Sequence, residues 1–185
     1  MKKSVQMVLS LSIVGIISGI SLVGMYSYTH LRIEANKRRA IQEAIFTVLP
    51  GIKDYEVIIK DGKEIYKGLD SSGKMVGYAF TGEGGGYQGK IKIMVGVDPG
   101  LEKVKGIEIL ESVETPGLGA KISSDWFKNQ FKELRTLPSI QLIKGKIHKK
   151  EPYQVQAITG ATISSQAVVE IMNKTLEEVR EKLKE

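Results

Sequence analysis

Cysteine is absent from the 185-residue chain. That removes together a disulfide framework, a thiolate zinc site, a cysteine-ligated iron–sulfur cluster and a cysteine nucleophile. Histidine is scarce as well: His30 and His148 are the only two, far apart, and no H-E-x-x-H pair or comparable spacing suggests a metal site. No G-x-S-x-G elbow is present, and no two carboxylates are spaced so as to single out an acid–base dyad. The charge balance argues against a nucleic-acid partner, because the 27 Lys and Arg that leave a net charge of +6 are interleaved with 21 Asp and Glu.

What the chain does have begins at its N-terminus. From Ser4 to Thr29 no charged residue occurs, a run rich in Val, Leu, Ile and Met and longer than the roughly 20 residues a membrane helix needs. It exceeds a signal-peptide core and lacks an A-x-A-like cleavage site, so an uncleaved, single-pass anchor over residues 1–30 is expected. Ser18, Gly19 and Gly24 suit close packing against other membrane helices. Lys2 and Lys3 flank the run on one side and Arg32, Lys37, Arg38 and Arg39 on the other. The plain basic count thus favours a cytoplasmic C-terminal domain, although long domains are translocated despite their charge.

Ile41, Ala44, Ile45 and Val48 recur at helical spacing until Leu49-Pro50-Gly51, which predicts a connecting helix within 31–50. Residues 51–185 are long enough for one domain of ordinary size. Alternating segments at 56–60, 64–69, 75–81, 90–97 and 103–110, each bounded by turn residues, read as strands joined by hairpins. A short helix near 124–134 is expected to bury Trp126, Phe127 and Phe131, and 139–143 is a further candidate strand. The fold class is α+β: one transmembrane helix, then a single domain with an antiparallel or mixed sheet and flanking helices. The basic segment 144–150 reads as a solvated loop, with membrane or partner contact as the sharper alternative.

Three stretches bear on chemistry. Gly84-Gly85-Gly86-Tyr87-Gln88-Gly89 satisfies G-x-G-x-x-G, but the residues after it alternate like a strand, so it reads as a hairpin loop and not a dinucleotide fingerprint. In Glu114-Thr115-Pro116-Gly117-Leu118-Gly119, Pro-Gly fits a type II turn, either an ordinary surface turn or a platform presenting Thr115 and Leu118 to a flat ligand. Thr159-Gly160-Ala161-Thr162-Ile163-Ser164-Ser165 precedes a run whose apolar residues, Val168, Ile171, Met172, Leu176, Val179 and Leu183, share one helix face. The hydroxyls therefore sit at a helix N-terminus. Either Ser164 or Ser165 is simply the N-cap, or the turn anchors a phosphate on unpaired N–H groups, with Gly160 allowing close approach.

These last two stretches carry a resemblance. The 159–165 turn resembles the [ST]-G-A-T-x-[ST] flavinylation motif, and 114–119 is similar to the E-T-P-G-L-G loop, of one family: the FMN-binding domain of the G subunit of the Rnf ion-translocating electron-transport complex, shared with the C subunit of the sodium-translocating NADH:quinone reductase. The compact length favours the Rnf subunit. The resemblance implies FMN held covalently by a phosphoester on Thr162, placed there from FAD by a magnesium-dependent flavin transferase. It also implies that Thr159, Gly160, Ala161, Ser164 and Ser165 approach and contact the phosphate, with the ring towards Glu114, Thr115 and Leu118. A flavin domain outside the cytoplasm, a cytoplasmic N-terminus, and partners among the other membrane and redox subunits of a ferredoxin:NAD oxidoreductase complex belong to the same implication, as does a subunit that does not turn over alone. Where many relatives have aspartate and histidine this chain has Gln156 and Ser112. A tethered module holding a phosphate-bearing ligand reversibly, and a purely structural subunit, are the alternatives from other classes.

Overall fold

The computed structural model describes residues 2–145 and 151–184; most of the basic segment 144–150, including His148, lies outside them. Two compact units are present, Met1–Ala40 and Ile41–Glu185. Helix α1 runs Lys2–Val48, so the anchor and the connecting segment are one helix. It is the one helix among the described residues long and apolar enough to cross a membrane, and the large apolar side chains from Val5 to Tyr28 are exposed along it.

The second unit is built on a five-stranded antiparallel sheet in chain order, β1 (Asp54–Lys60), β2 (Lys63–Leu69), β3 (Met75–Gly85), β4 (Lys90–Val97) and β5 (Val104–Ser112). The two-residue period of the strands sends alternate side chains to opposite faces. Tyr66, Ala79 and Met94 meet the last residues of α1 and those after it, Ala44, Ile45, Val48, Leu49 and Ile52, on one face. Ile65, Phe80, Ile93 and Val95 meet helix α3 (Thr162–Lys184) through Val168, Ile171, Met172 and Leu176 on the other. A short helix α2 (Asp125–Lys128) and flanking 3-10 turns bring Ile122, Phe127 and Phe131 into that second core. Two three-residue strands, β6 (Gln141–Ile143) and β7 (Gln154–Gln156), pair in parallel.

The five hairpin strands lie where alternation predicts them, with β3 extended to Gly85 and β5 to Ser112. Residues 124–134 differ from expectation. The helix is a single turn capped by Ser124, whose Oγ accepts the Phe127 N–H at 3.4 Å. Phe127 and Phe131 are fully buried while Trp126 is 54% exposed. Phe127 on the helical turn and Phe131 on the 3-10 turn after it both face the second core, and the residue just before Phe127 points about 100° away from it on the turn; Trp126 is therefore outside. Strand β7 was not legible in the sequence, because three residues with one buried valine carry no periodic signal.

Candidate functional site

The Glu114 loop and the 159–165 turn come together through the same local device. The Leu118 N–H donates to Thr115 O at 3.2 Å with Gly117 at φ 77°, and the Ala161 N–H donates to Ile158 O at 2.9 Å with Gly160 at φ 81°. Both positive φ values fall at the third position of a type II turn, where glycine carries no steric cost. A Cβ on Gly160 would touch Leu118 Cδ2 at 3.4 Å, so the two turns face one another. Between them lies a cleft of about 450 Å³ lined by Tyr87, Glu114, Thr115, Leu118, Gly119 and residues 160–164.

The helix begins earlier than expected, at Thr162, and this changes what each hydroxyl does. Ser164 and Ser165 sit within its first turn and are buried; neither is the N-cap. Ser164 Oγ donates to Glu114 Oε2 at 2.6 Å. Ser165 Oγ donates to Ala161 O at 2.9 Å and accepts the Ile158 N–H at 3.1 Å. Both side chains serve internal hydrogen bonds, and in this arrangement neither hydroxyl proton is directed at a ligand. Thr162 is half-buried, lines the cleft, and its hydroxyl makes no hydrogen bond among the described residues. Thr159 is exposed and does not line the cleft. The Ser165 N–H reaches Ala161 O at 3.0 Å; those of Thr162, Ile163 and Ser164 have no acceptor within the helix, as at any helix start, and leave a positive end at the cleft.

Glu114 is 5% exposed. Its Oε1 accepts the Gln88 N–H at 3.0 Å, the amides of Tyr87 and Gly89 also face it, and its own N–H donates to Ser112 Oγ at 3.3 Å. The G-x-G-x-x-G stretch is a hairpin loop, closed by the Gly86 N–H on Gly89 O at 2.6 Å, and its amides turn towards the carboxylate. A Cβ on Gly86 or on Gly119 would stand 2.3 or 2.5 Å from the Glu114 oxygens, so both glycines make room for them. Burial pushes the carboxyl up, but the Ser164 hydroxyl and the three amides outweigh it and hold it below its ordinary value of 4.5.

A carboxylate whose folded value is depressed stabilises the fold above its unfolded value, and loses that contribution as pH falls through the folded one. Glu114→Ala is expected to cost about 2 kcal/mol near neutral pH by stranding its buried donors. In urea titrations the gap from the unsubstituted chain should close as the pH is taken below 4.5. A gap that stays constant down to acid pH would contradict the charged, hydrogen-bonded state.

Sequence reasoning brought Glu114, Thr115, Leu118, Gly160, Ala161, Thr162 and Ser164 to the cleft, and missed Tyr87, Gly119 and Ile163. Tyr87 is 66% exposed and Ile163 58% exposed; each interrupts a run of small or polar residues, which is the signal that was available. The two departures from the motif lie apart. Ser112 supports Glu114, whereas Gln156 on β7 donates through Nε2 to Gly145 O at 2.8 Å and through its N–H to Gln130 Oε1 at 2.8 Å. No cluster of potential metal ligands occurs among the described residues.

Similarity to known proteins covers the same elements. The FMN-binding domain family matches residues 86–177, a span running from the hairpin loop to well inside α3. The chain is 30% identical to the G subunit of an ion-translocating oxidoreductase complex of Methanosarcina acetivorans, over 96% of this chain and 95% of that one. It is 34% identical to the G subunit of the proton-translocating ferredoxin:NAD(+) oxidoreductase complex of Clostridium ljungdahlii, over 92% and 88%. The crystal structure of Shewanella oneidensis NqrC superposes with a TM-score of 0.59 at 22% identity, covering 68% of this chain and 66% of that one. It shares the fold.

Proposed function

The chain belongs to the G subunits of Rnf-type ion-translocating oxidoreductase complexes, and from that membership we propose that it is a membrane-anchored flavin electron carrier with FMN bound covalently through Thr162. The observation that carries the attachment point is the state of the hydroxyls: of the four in 159–165, only that of Thr162 both lines the cleft and is uncommitted.

The residues present fit the group. A phosphate on Thr162 would meet the free amides and positive end of α3, and the cleft has the size and mixed apolar and polar lining usual for a cofactor site. Thr162 Oγ1 would bond to the flavin-side phosphorus of FAD, the pyrophosphate bond would break to release AMP, and the hydroxyl proton would pass to solvent or a base. Leu118, Ile163 and Tyr87 would shield the site, and the type II turns would keep it rigid. The flavin supplies the electron-transfer chemistry, and the protein positions it and sets its potential.

The rest of the reading follows the family. Residues 1–30 would cross the membrane with the N-terminus cytoplasmic and the flavin domain outside, among the other subunits of a ferredoxin:NAD oxidoreductase, and the subunit would not turn over alone. Peptide mass mapping after coexpression with the flavin transferase tests the central claim. The tryptic peptide that contains Thr162 should carry the mass of FMN less one water, with fragment ions assigning it to that side chain. An unmodified peptide from a chain that nevertheless binds flavin would favour the reversible phosphate-ligand module.

A further inference from the structure

The third hydroxyl of the motif, Ser164, lines the cleft but is spent on a buried carboxylate, Glu114, which lines it too and which the family reading placed towards the flavin ring. We propose that Glu114 and Ser164 form a positioning latch that presents Thr162 for flavin attachment before any flavin is there. The inference rests on the reading of Thr162 as the attachment residue.

Three elements meet at Glu114, two of them at its carboxylate. One oxygen takes the Gln88 N–H of the hairpin loop at 3.0 Å and the other the hydroxyl of Ser164 on α3 at 2.6 Å; the glutamate's own N–H is held by Ser112 at the end of β5. Against the upward push of burial, the Ser164 hydroxyl and the amides of the hairpin loop hold its carboxyl below the ordinary value, an arrangement of dipoles turned towards the charge. Burying a carboxylate is costly unless its acceptor capacity is met, and hydrogen bonds to an ionised acceptor are roughly twice as strong as neutral ones. The arrangement therefore fixes the hairpin loop and the first turn of α3 relative to each other more firmly than apolar packing of short loops would.

Thr162 is held as a result. Ser165 pins the backbone on one side, through Ile158 and Ala161, and Ser164 pins it on the other, through Glu114. Thr162 and Ile163 lie between the pins and are left facing the cleft. The hydroxyl of Ser164 thus has a role distinct from phosphate binding. Neither Glu114 nor Ser164 need touch the reacting atoms; both act through the backbone that carries Thr162.

The test is transferase-catalysed flavinylation of the full chain in detergent, with FAD and magnesium, followed by in-gel flavin fluorescence. Glu114→Gln and Ser164→Ala should each lower kcat roughly tenfold, the equivalent of about one hydrogen bond to a charged group, with KM for FAD unchanged. The double variant should be no slower than the slower single one, and Ser164→Thr, which keeps the hydroxyl, should recover most of the rate. Gly96→Ala serves as a control for general destabilisation, since its Cβ would press on Val48 O at 2.3 Å on the opposite face of the sheet; it should flavinylate at the normal rate wherever it is folded. Normal rates in both single variants, independent losses in the double one, failure of Ser164→Thr to recover the rate, or an equal loss in Gly96→Ala would each overturn the latch. A chain that accepts no flavin even without substitution would instead sink the Thr162 reading itself.

Discussion

Thr162→Ala is expected to abolish the flavin that, on the proposed attachment, survives denaturation. The expected result is a denaturing gel in which the unsubstituted chain fluoresces and the variant is dark at equal loading, a loss without a partial form because a phosphoester needs an oxygen on that side chain. Stability should hardly move. Thr162 is half-buried and its hydroxyl has no partner among the described residues, and alanine is the better helix former, so a change within about 0.5 kcal/mol is expected. Thr162→Ser keeps the oxygen and should retain covalent flavin at reduced yield. The neighbouring hydroxyls offer no substitute, because Ser164 and Ser165 are buried at 2% and 0% exposure and already bonded within the protein. Fluorescence that persists in Thr162→Ala would move the attachment elsewhere and remove the basis of the proposed site.

The largest stability effect is expected on the other face of the sheet. Val48, in the last turn of α1, lies over Gly96, which pairs with Gly106 on β5 and Ala79 on β3. A Cβ at position 96 would stand 2.3 Å from Val48 O and 2.7 Å from Val48 C, and backbone of that kind cannot step aside as a flexible side chain would. Gly96→Val therefore has to lift the end of α1 from the sheet, loosening the contacts of Ile45, Val48 and Leu49 with Tyr66 and Met94. Overpacking with loss of such contacts is expected to cost about 3 kcal/mol, the upper end for a single enlarged side chain. In a unit of this size that should lower the thermal midpoint by on the order of 10 °C. Gly85→Ala is the matched control: nothing lies within 4 Å of its Cβ position, and its midpoint should be close to normal. Equal midpoints for Gly96→Val and Gly85→Ala would refute the close approach of helix and sheet.

These two results probe different layers of the molecule. The sheet is clamped between the end of α1 on one face and α3 on the other, and the cleft lies where α3 begins. Gly96 bears on the first contact and Thr162 on the second. A stability loss at Gly96 with flavin retained, beside a flavin loss at Thr162 with stability retained, would separate what holds the domain together from what the domain does.

Much of this was available from residue order. The apolar run to Thr29, the alternation of β1 to β5 and the three-and-four spacing of α3 are local periodicities, and each reports its own element because burial acts on one face of that element. The Pro-Gly and Thr-Gly turns were equally legible, since a positive φ selects glycine wherever it occurs. The motif also pointed to Thr162 as the candidate attachment residue, through family resemblance. Hidden from the sequence were the start of α3 at Thr162, the exposure of Trp126, strand β7 and its parallel pairing with β6, and above all the partners of the polar residues. Glu114 and Ser164 are fifty positions apart, and no local pattern states that a buried carboxylate will take one hydroxyl and the amides of a glycine hairpin. Periodicity and turn chemistry are properties of neighbouring residues, so the elements, their turns and the candidate attachment residue could be read along the chain. A hydrogen bond satisfies whatever the fold brings within reach, so which hydroxyls are spent internally, and which one faces the cleft, emerged only once the chain was folded.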